Sequence, residues 1–103
     1  MTNRLANIPT DNITEAIERL VELYAAEYDV DAYHTNCGQC EDFANDIVEL
    51  FPEAVAEWGD GLCDADEVDQ YMYHCILLYQ GKFYDSEHPQ GVEDFRSISA
   101  FHS

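Results

Sequence analysis

The chain has 103 residues, 47% of them hydrophobic, so it can bury one modest core and is expected to form a single domain over residues 1–103. Twenty-two acidic residues oppose four basic ones, for a formal net charge of −18 at pH 7. Such a charge repels nucleic-acid phosphates and anionic membranes and favours cationic partners, so direct binding to nucleic acid or to a membrane is not expected.

The amino-terminal region and the cysteines bear on the compartment. Residues 1–20 contain no apolar run followed by a small-residue cleavage site, and no later stretch approaches membrane-spanning length. We therefore expect a cytoplasmic protein, in which four cysteines indicate thiols, metal ligands or a nucleophile more than a disulfide framework. A bridge between Cys37 and Cys63 is the alternative for an exported protein. Nothing in the sequence indicates an oligomeric state.

Two helices are predicted in the first half of the chain. The first is amphipathic, is capped by Thr10 or Asn12 and ends near Tyr28. Residues 29–39 are predicted to be a loop. The second helix carries Cys40 on its first turn and continues until a proline stops it. Its predicted buried stripe consists of Phe43, Ala44, Ile47, Val48 and Phe51.

The second half of the chain changes to the period of β-strands. The predicted elements are a short strand at 54–58, an acidic loop at 59–69, a strand at 71–79, a turn at 80–81, a return strand at 82–85 and a packed tail with a turn of helix at 92–101. Together with the helices they predict an α+β domain. In it the Cys-bearing helix packs on a small antiparallel β-sheet.

The register of the predicted hairpin places a histidine beside a carboxylate. A two-residue turn pairs Tyr79 with Lys82, and alternation along the strands then puts His74, Asp85 and Glu87 on one face. Either carboxylate is a candidate to orient the imidazole. We favour Asp85, because Glu87 adjoins a His-Pro step where the strand is expected to end.

Cys40, His74 and Asp85 are the predicted catalytic residues. Backbone N–H groups and the dipole at a helix N-terminus stabilise a thiolate, which is the reactive form of cysteine. His74 on a neighbouring strand supplies the proton shuttle and Asp85 orients it. The pattern therefore predicts thiol-dependent hydrolysis or acyl transfer at an amide or related bond. No cofactor and no metal ion are required, and the expected partner is an amide-containing substrate or a basic protein.

The segment Cys37-Gly38-Gln39-Cys40 resembles the papain-like cysteine hydrolase superfamily, in which the second cysteine of a Cys-Gly-x-Cys stretch is the nucleophile. The downstream part, His74 through Asp85, is more similar to the transglutaminase-like and NlpC/P60-like branches, of which small forms occur in phage and microbial proteins. The resemblance covers residues 34–101. It implies a papain-like core with a thiol protease-like site of Cys, His and Asp in that order.

The chain departs from papain-type proteases at two positions near the nucleophile. Glu41 stands where those enzymes have an aromatic residue, and His34 stands where they have the glutamine of the oxyanion hole. His34, Asn36 and Gln39 are all candidates to donate to an oxyanion beside the Cys40 backbone N–H, and the sequence does not choose among them.

A structural zinc site is one alternative to catalysis. Cys37 and Cys40 have metal-ligand spacing, and Cys63, His34 or His74 would complete a tetrahedral set. The chain has no second Cys-x-x-Cys motif to support it.

A second alternative is a non-enzymatic acidic protein that occupies a basic, nucleic-acid-binding partner through its charge.

Purely structural roles are the alternative for several of the individual cysteine and tyrosine residues. Cys37, Cys63 and Cys75 are expected to be small buried residues, and Tyr71, Tyr73, Tyr79 and Tyr84 to pack in the core and across strands.

Overall fold

A computed structural model describes residues 5–63, 66 and 74–102, with the backbone alone at 36, 37 and 102. Within this part the chain forms α-helices and an antiparallel sheet with strand order β1-β2-β3. The elements are α1 (Ile13–Tyr28), α2 (Ala32–Gly38), α3 (Cys40–Leu50), β1 (Val55–Trp58), β2 (Cys75–Tyr79) and β3 (Lys82–Tyr84), with 3-10 turns at Gly59–Gly61, Phe95–Ser97 and Ser99–His102. The predicted α+β class is confirmed.

Helix α1 begins and ends where the sequence predicts. Asn12 is the N-cap, and its Oδ1 accepts a hydrogen bond from the Glu15 N–H at 2.7 Å. Its buried face consists of Ile13, Ala16, Ile17, Leu20 and Tyr24. The Tyr24 hydroxyl also donates to Oδ2 of Asp46 on α3 at 2.7 Å, which gives the buried ring a polar partner between the two helices.

The loop predicted for residues 29–39 is wrong, because most of this segment forms α2. Asp31 caps the helix through a 2.8 Å bond from the His34 N–H. Thr35 is completely buried, and its hydroxyl donates to the Asp31 carbonyl at 2.9 Å. A seven-residue helix shows too few turns for an apolar period to be recognised, and an isolated helix of this length is unstable in water. Contacts with the rest of the fold hold it in place.

Helix α3 packs between α1 and the sheet. Phe43, Ala44 and Ile47 are buried, as the helical spacing predicts, and the Phe51 N–H closes the last turn on the Ile47 carbonyl at 2.7 Å. The Phe43 ring meets Tyr24 edge to face, with centroids 5.3 Å apart. The Cys-bearing helix therefore packs against the principal hydrophobic core of the domain.

The hairpin has the predicted register but shorter strands. Tyr79 pairs with Lys82 and Leu77 with Tyr84 across a turn whose two central residues both have positive φ. β2 is first seen at Cys75, and residues 71–73 of the predicted strand lie outside the described part, with Tyr71 and Tyr73 among them.

The return strand ends one residue earlier than predicted. Asp85 does not continue the ladder, because its carbonyl accepts the His88 N–H at 3.1 Å and starts a turn instead. Continued in the predicted register, the strands would pair Asp85 with Ile76 and Glu87 with His74, but the ladder ends at the pair of Leu77 with Tyr84. The predicted acidic loop begins with the Gly59–Gly61 turn, and residues 64–65 and 67–69 of it lie outside the described part.

The two faces of the sheet bury different hydrophobic clusters. Cys75 and Leu77 belong to the larger cluster shared with the helices, whereas Ile76 points into a smaller one under the tail. The smaller cluster consists of Ile76, Phe95, Ile98 and Phe101. The predicted packing of the tail is confirmed, and it covers the strand that follows His74. Within the described residues no helix has the length and apolar character needed to cross a membrane.

Candidate active site

Cys40, His74 and Asp85 come from three different elements and meet at one end of the sheet. Cys40 is the first residue of α3, His74 directly precedes β2, and Asp85 directly follows β3. Nε2 of His74 lies 2.9 Å from Oδ2 of Asp85, and the two residues are 4% and 3% exposed. Sγ of Cys40 accepts a hydrogen bond from the backbone N–H of Cys75 at 3.4 Å. The sulfur is therefore tied to the residue that follows His74.

One residue both ends α2 and begins α3, and it determines where Cys40 lies. The Gln39 N–H donates to the Thr35 carbonyl at 2.8 Å, and the Gln39 carbonyl accepts the Phe43 N–H at 2.9 Å. Cys40 is thereby fixed at the first helical position. At this position backbone N–H groups lack intrahelical acceptors and the helix dipole favours negative charge.

The environment of Cys40 favours the thiolate. Burial of the sulfur opposes ionisation, but the interaction with the His74 imidazole and its charge, together with the Cys75 and Glu41 N–H groups, outweigh it. The pKa of Cys40 is therefore lowered from its ordinary value. A half-buried cysteine with a lowered pKa is a candidate for a reactive thiol.

The environment of His74 favours the imidazolium. Burial lowers its pKa, but hydrogen bonding and charge from Asp85, followed by those from Cys40, raise it to about 9. An ionised carboxylate can only accept hydrogen bonds, so Nε2–H is the donor to Asp85. Nδ1 is buried and meets no described atom in full hydrogen-bond geometry, so the interaction of His74 with Cys40 is a longer electrostatic one. This nitrogen remains available to exchange a proton with the thiol.

Asp85 is held in place by the turn that ends β3. Its Oδ1 accepts the Glu87 N–H at 3.0 Å, while Oδ2 faces His74. The neighbouring Ser86 is buried and donates its hydroxyl to the Ala32 carbonyl on α2 at 2.7 Å. Of the two carboxylates considered from the sequence, Asp85 is the one in contact with the imidazole. The unpredicted helix α2 helps to position it.

The other side of the His74 ring is covered by the tail. Phe101 packs against the imidazole edge to face, with ring centroids 5.3 Å apart, and is itself buried. It excludes water from the ring, which strengthens the hydrogen bond to Asp85 by lowering the local dielectric constant. The apolar spacing of the tail predicted a packing role for Phe101, but nothing in the sequence paired it with His74.

The three candidate oxyanion donors differ in their surroundings. The exposed His34 ring is engaged with Asp31, with Nδ1 at 2.8 Å from Oδ1. Gln39, directly before Cys40, has a buried Oε1 that lacks a hydrogen-bond partner in the described part of the chain. The side chain of Asn36 lies outside the described residues. This unpartnered atom is an acceptor, so it does not select Gln39 as a donor to an oxyanion.

Cys75 and Cys63 do not share the environment of Cys40. Burial raises the pKa of Cys75 to about 12, with the negative charges of Cys40, Glu41 and Glu57 adding to the effect. Cys63 packs half-buried against the smaller cluster. The side chain of Cys37 lies outside the described residues, so the zinc and disulfide alternatives that use it are not tested. Among the described residues no group of three or more His, Cys, Asp or Glu side chains is arranged to hold a metal ion.

Comparison of the chain with protein-family models, with curated proteins and with solved structures finds no match. The chemistry of this site therefore has to be inferred from its own residues.

Proposed function

We propose that this protein is a thiol-dependent hydrolase or acyl transferase that acts on an amide or related bond through Cys40, His74 and Asp85. The observation that carries the proposal is the buried 2.9 Å contact between His74 and Asp85, beside a sulfur at the start of α3. A polar pair this deeply buried is costly to maintain in a small core, and burial without function would favour an apolar pair of similar volume.

The proposed reaction begins with transfer of the thiol proton from Cys40 to Nδ1 of His74. The thiolate attacks the carbonyl carbon and forms a C–S bond, while the carbonyl oxygen takes the electron pair and is stabilised by the Cys40 backbone N–H. Collapse of this intermediate breaks the C–N bond, and His74 returns its proton to the leaving amine.

The second half of the reaction regenerates the thiol. Water or an amine attacks the thioester and gives a proton to His74, and the C–S bond breaks to release an acid or a new amide. Asp85 takes no proton in either half. It keeps Nε2 protonated and so leaves Nδ1 as the nitrogen that exchanges with sulfur.

The proposed fold relationship is a papain-like core of the transglutaminase-like or NlpC/P60-like kind. A cysteine at the head of a helix, a histidine at the start of a neighbouring strand and an aspartate at the end of the next strand occur here in that chain order. We propose cytoplasmic localisation, in keeping with the reduced thiols of Cys40 and Cys75. The net charge of −18 favours cationic substrates.

The proposal is tested by the pH dependence of iodoacetamide alkylation at each cysteine, followed by peptide mass spectrometry. Cys40 is expected to react fast well below the ordinary thiol pKa of about 8.5. In His74→Ala this advantage is lost, and the rate at Cys40 follows the titration of an ordinary thiol. Glutathione in the same reaction serves as the reference thiol in both cases.

Two outcomes would contradict the proposal. One is that Cys40 titrates like the thiol of glutathione, and the other is that His74→Ala leaves its rate unchanged although the circular dichroism spectrum shows a folded protein. The net charge supports a second candidate function, that of an acidic binder of a basic protein. That function predicts binding that tolerates Cys40→Ala and weakens as salt is raised.

A further inference from the structure

Trp58 is the single tryptophan of the chain. It is the last residue of β1, the strand beside β2. In the register of β1 and β2, Trp58 pairs directly with Cys75, whose N–H contacts Sγ of Cys40. Directly paired residues have Cα atoms about 5 Å apart and side chains on the same face. The Cα atom of Trp58 therefore lies within roughly 10 Å of Sγ of Cys40. This estimate adds the Cα–Cα separation of Trp58 and Cys75, the N–Cα bond of Cys75 and the hydrogen bond from its N–H to the sulfur.

The face on which Trp58 lies is also the face of helix α3. Ala56, two residues earlier on β1, packs against the larger cluster, as does its partner Leu77 on β2. Alternation along the strand puts Trp58 on this same side. Ala56 is partly buried, whereas 37% of the surface of Trp58 is exposed. A large aromatic surface thus remains open beside the amino-terminal end of α3, where Cys40 lies.

The charges around this opening are negative. Glu41 follows Cys40 and acts on the buried thiol of Cys75, adding to the rise in its pKa. Glu57, paired with Ile76, lies on the opposite face of β1 and is not part of this opening. Asp42 is exposed on the same first turn of α3. A positive charge placed here would be attracted by these carboxylates and by the ring face of Trp58.

The cationic side chains of the described residues lie elsewhere. Arg19 is 3.6 Å from Glu22 on α1, and Arg96 is 3.7 Å from Asp94 in the tail. Lys82 pairs with Tyr79 at the far end of the hairpin. Within the described part, these arginine and lysine side chains neither pair with Glu41 nor stack on Trp58.

We propose that Trp58 and Glu41 recognise an arginine or lysine side chain of a peptide substrate, on a residue close to the carbonyl that Cys40 attacks. This inference rests on the proposed function and names its substrate class. The cation stacks on the indole of Trp58 and is neutralised by Glu41, while the scissile carbonyl lies on Sγ of Cys40. An extended side chain of either residue spans the separation estimated above.

The test uses the Cys40→Ala variant, which binds without turnover, and the fluorescence of Trp58 as the reporter. The probe is acetyl-Gly-Arg-Gly-Gly-amide, and the matched neutral probe carries citrulline in place of arginine. We expect a saturable change with the arginine peptide and at least about fivefold weaker binding of the citrulline peptide, as a cation–π contact and an ion pair would contribute. Raising the salt concentration should weaken the binding of the arginine peptide and leave that of the citrulline peptide unchanged.

Variants locate the contact, with binding followed by proton–nitrogen NMR of the labelled protein. Trp58→Ala should weaken the arginine peptide by about fivefold and Trp58→Phe by less, because phenylalanine keeps a ring face. Glu41→Gln should weaken it about twofold. Val55→Ala is the matched control, since Val55 is 50% exposed at the other end of the same strand and should have no effect.

The proposal is overturned if arginine and citrulline peptides bind equally, if neither binds, or if Val55→Ala weakens binding as much as Trp58→Ala. These outcomes are independent of the thiol, because the binding protein lacks it. The alkylation experiment tests the nucleophile without any substrate. Failure of the cationic site is therefore distinguishable from failure of the proposed chemistry.

Discussion

His74 and Asp85 are eleven residues apart in the chain and share a 2.9 Å hydrogen bond that is almost completely excluded from solvent. The bond joins the residue before β2 to the residue after β3, so the hairpin itself sets the distance between them. Because the pair is buried, water cannot take over the role of the Asp85 carboxylate at low cost if its charge is removed. The protonation state of His74, and through it that of Cys40, therefore depends on Asp85.

Asp85→Asn is expected to lower the pKa of His74 while keeping a hydrogen-bonding side chain of the same size. With less imidazolium beside it, Cys40 should be alkylated by iodoacetamide about tenfold more slowly at pH 6.5, the effect of one pKa unit. NMR titration of the His74 ring and mass spectrometry of the alkylated peptide measure the two effects. Glu87→Gln is the matched control, and an equal loss in that variant would contradict the assignment of Asp85.

The pH dependence of stability should show the raised pKa of His74 once Cys40 is removed. Without Cys40, His74 keeps only the part of its raised pKa that comes from Asp85, so its folded pKa lies below the value of about 9 found with Cys40 present, whereas the unfolded chain releases the proton near 6.5. The stabilisation is therefore complete below pH 6.5 and is lost as the pH rises through the folded pKa. The difference in unfolding free energy between Cys40→Ala and Cys40→Ala/His74→Gln should fall over this interval by about 2 kcal/mol.

With Cys40 present, the difference in unfolding free energy between the wild type and His74→Gln should change little with pH over the same interval. The lowered pKa of Cys40 contributes stability that is lost as the pH falls, which is the opposite dependence. Where thiolate and imidazolium coexist, folding takes up one proton at His74 and releases one at Cys40. Urea unfolding at several pH values checks both cases, and a steep decline in the wild type would exclude the ion pair.

Cys75→Ala removes the thiol of Cys75 and keeps its backbone N–H, so it tests the two groups separately. The N–H that contacts Cys40 remains, so the alkylation rate of Cys40 should stay within about twofold of the wild type. Loss of the buried sulfur should cost about 1 kcal/mol of unfolding free energy, measured by urea denaturation. In the native wild type, Cys75 itself should resist alkylation because burial raises its pKa to about 12. Labelling of Cys75 before Cys40 would contradict the site.

Two glycines with positive φ should differ in their tolerance of alanine. Gly81 lies in the hairpin turn with open space around it, so Gly81→Ala should cost about 1 kcal/mol through backbone strain alone. In Gly91→Ala the new Cβ would also lie 2.7 Å from the ring of the buried Tyr84, and we expect a loss of about 2–3 kcal/mol.

The Gly91 variant also connects stability to the site. Tyr84 directly precedes Asp85, so displacement of its ring should slow alkylation of Cys40, whereas Gly81→Ala should not. Thermal unfolding and the alkylation rate are the measurements. Equal effects of the two substitutions on both quantities would show that the tyrosine ring moves aside freely.

Much of the fold could be predicted because it follows from interactions between residues close in the chain. The cap at Asn12, the apolar period of α3 and the turn that pairs Tyr79 with Lys82 each depend on a few neighbouring positions. The same local rules placed Cys40 on a first helical turn. The candidate trio of Cys40, His74 and Asp85 could be chosen on that basis, and its catalytic role stays a prediction.

Only the tertiary structure decided the features that join distant segments. Helix α2 is too short to show a recognisable apolar period in the sequence. Its Ala32 carbonyl nevertheless accepts a hydrogen bond from Ser86, 54 positions later in the chain. The Cys75 N–H reaches Cys40 across 35 positions, and Phe101 covers His74 from the tail. Apolar spacing reports that a residue is buried but not which residue it is buried against, since that choice belongs to the packed core as a whole.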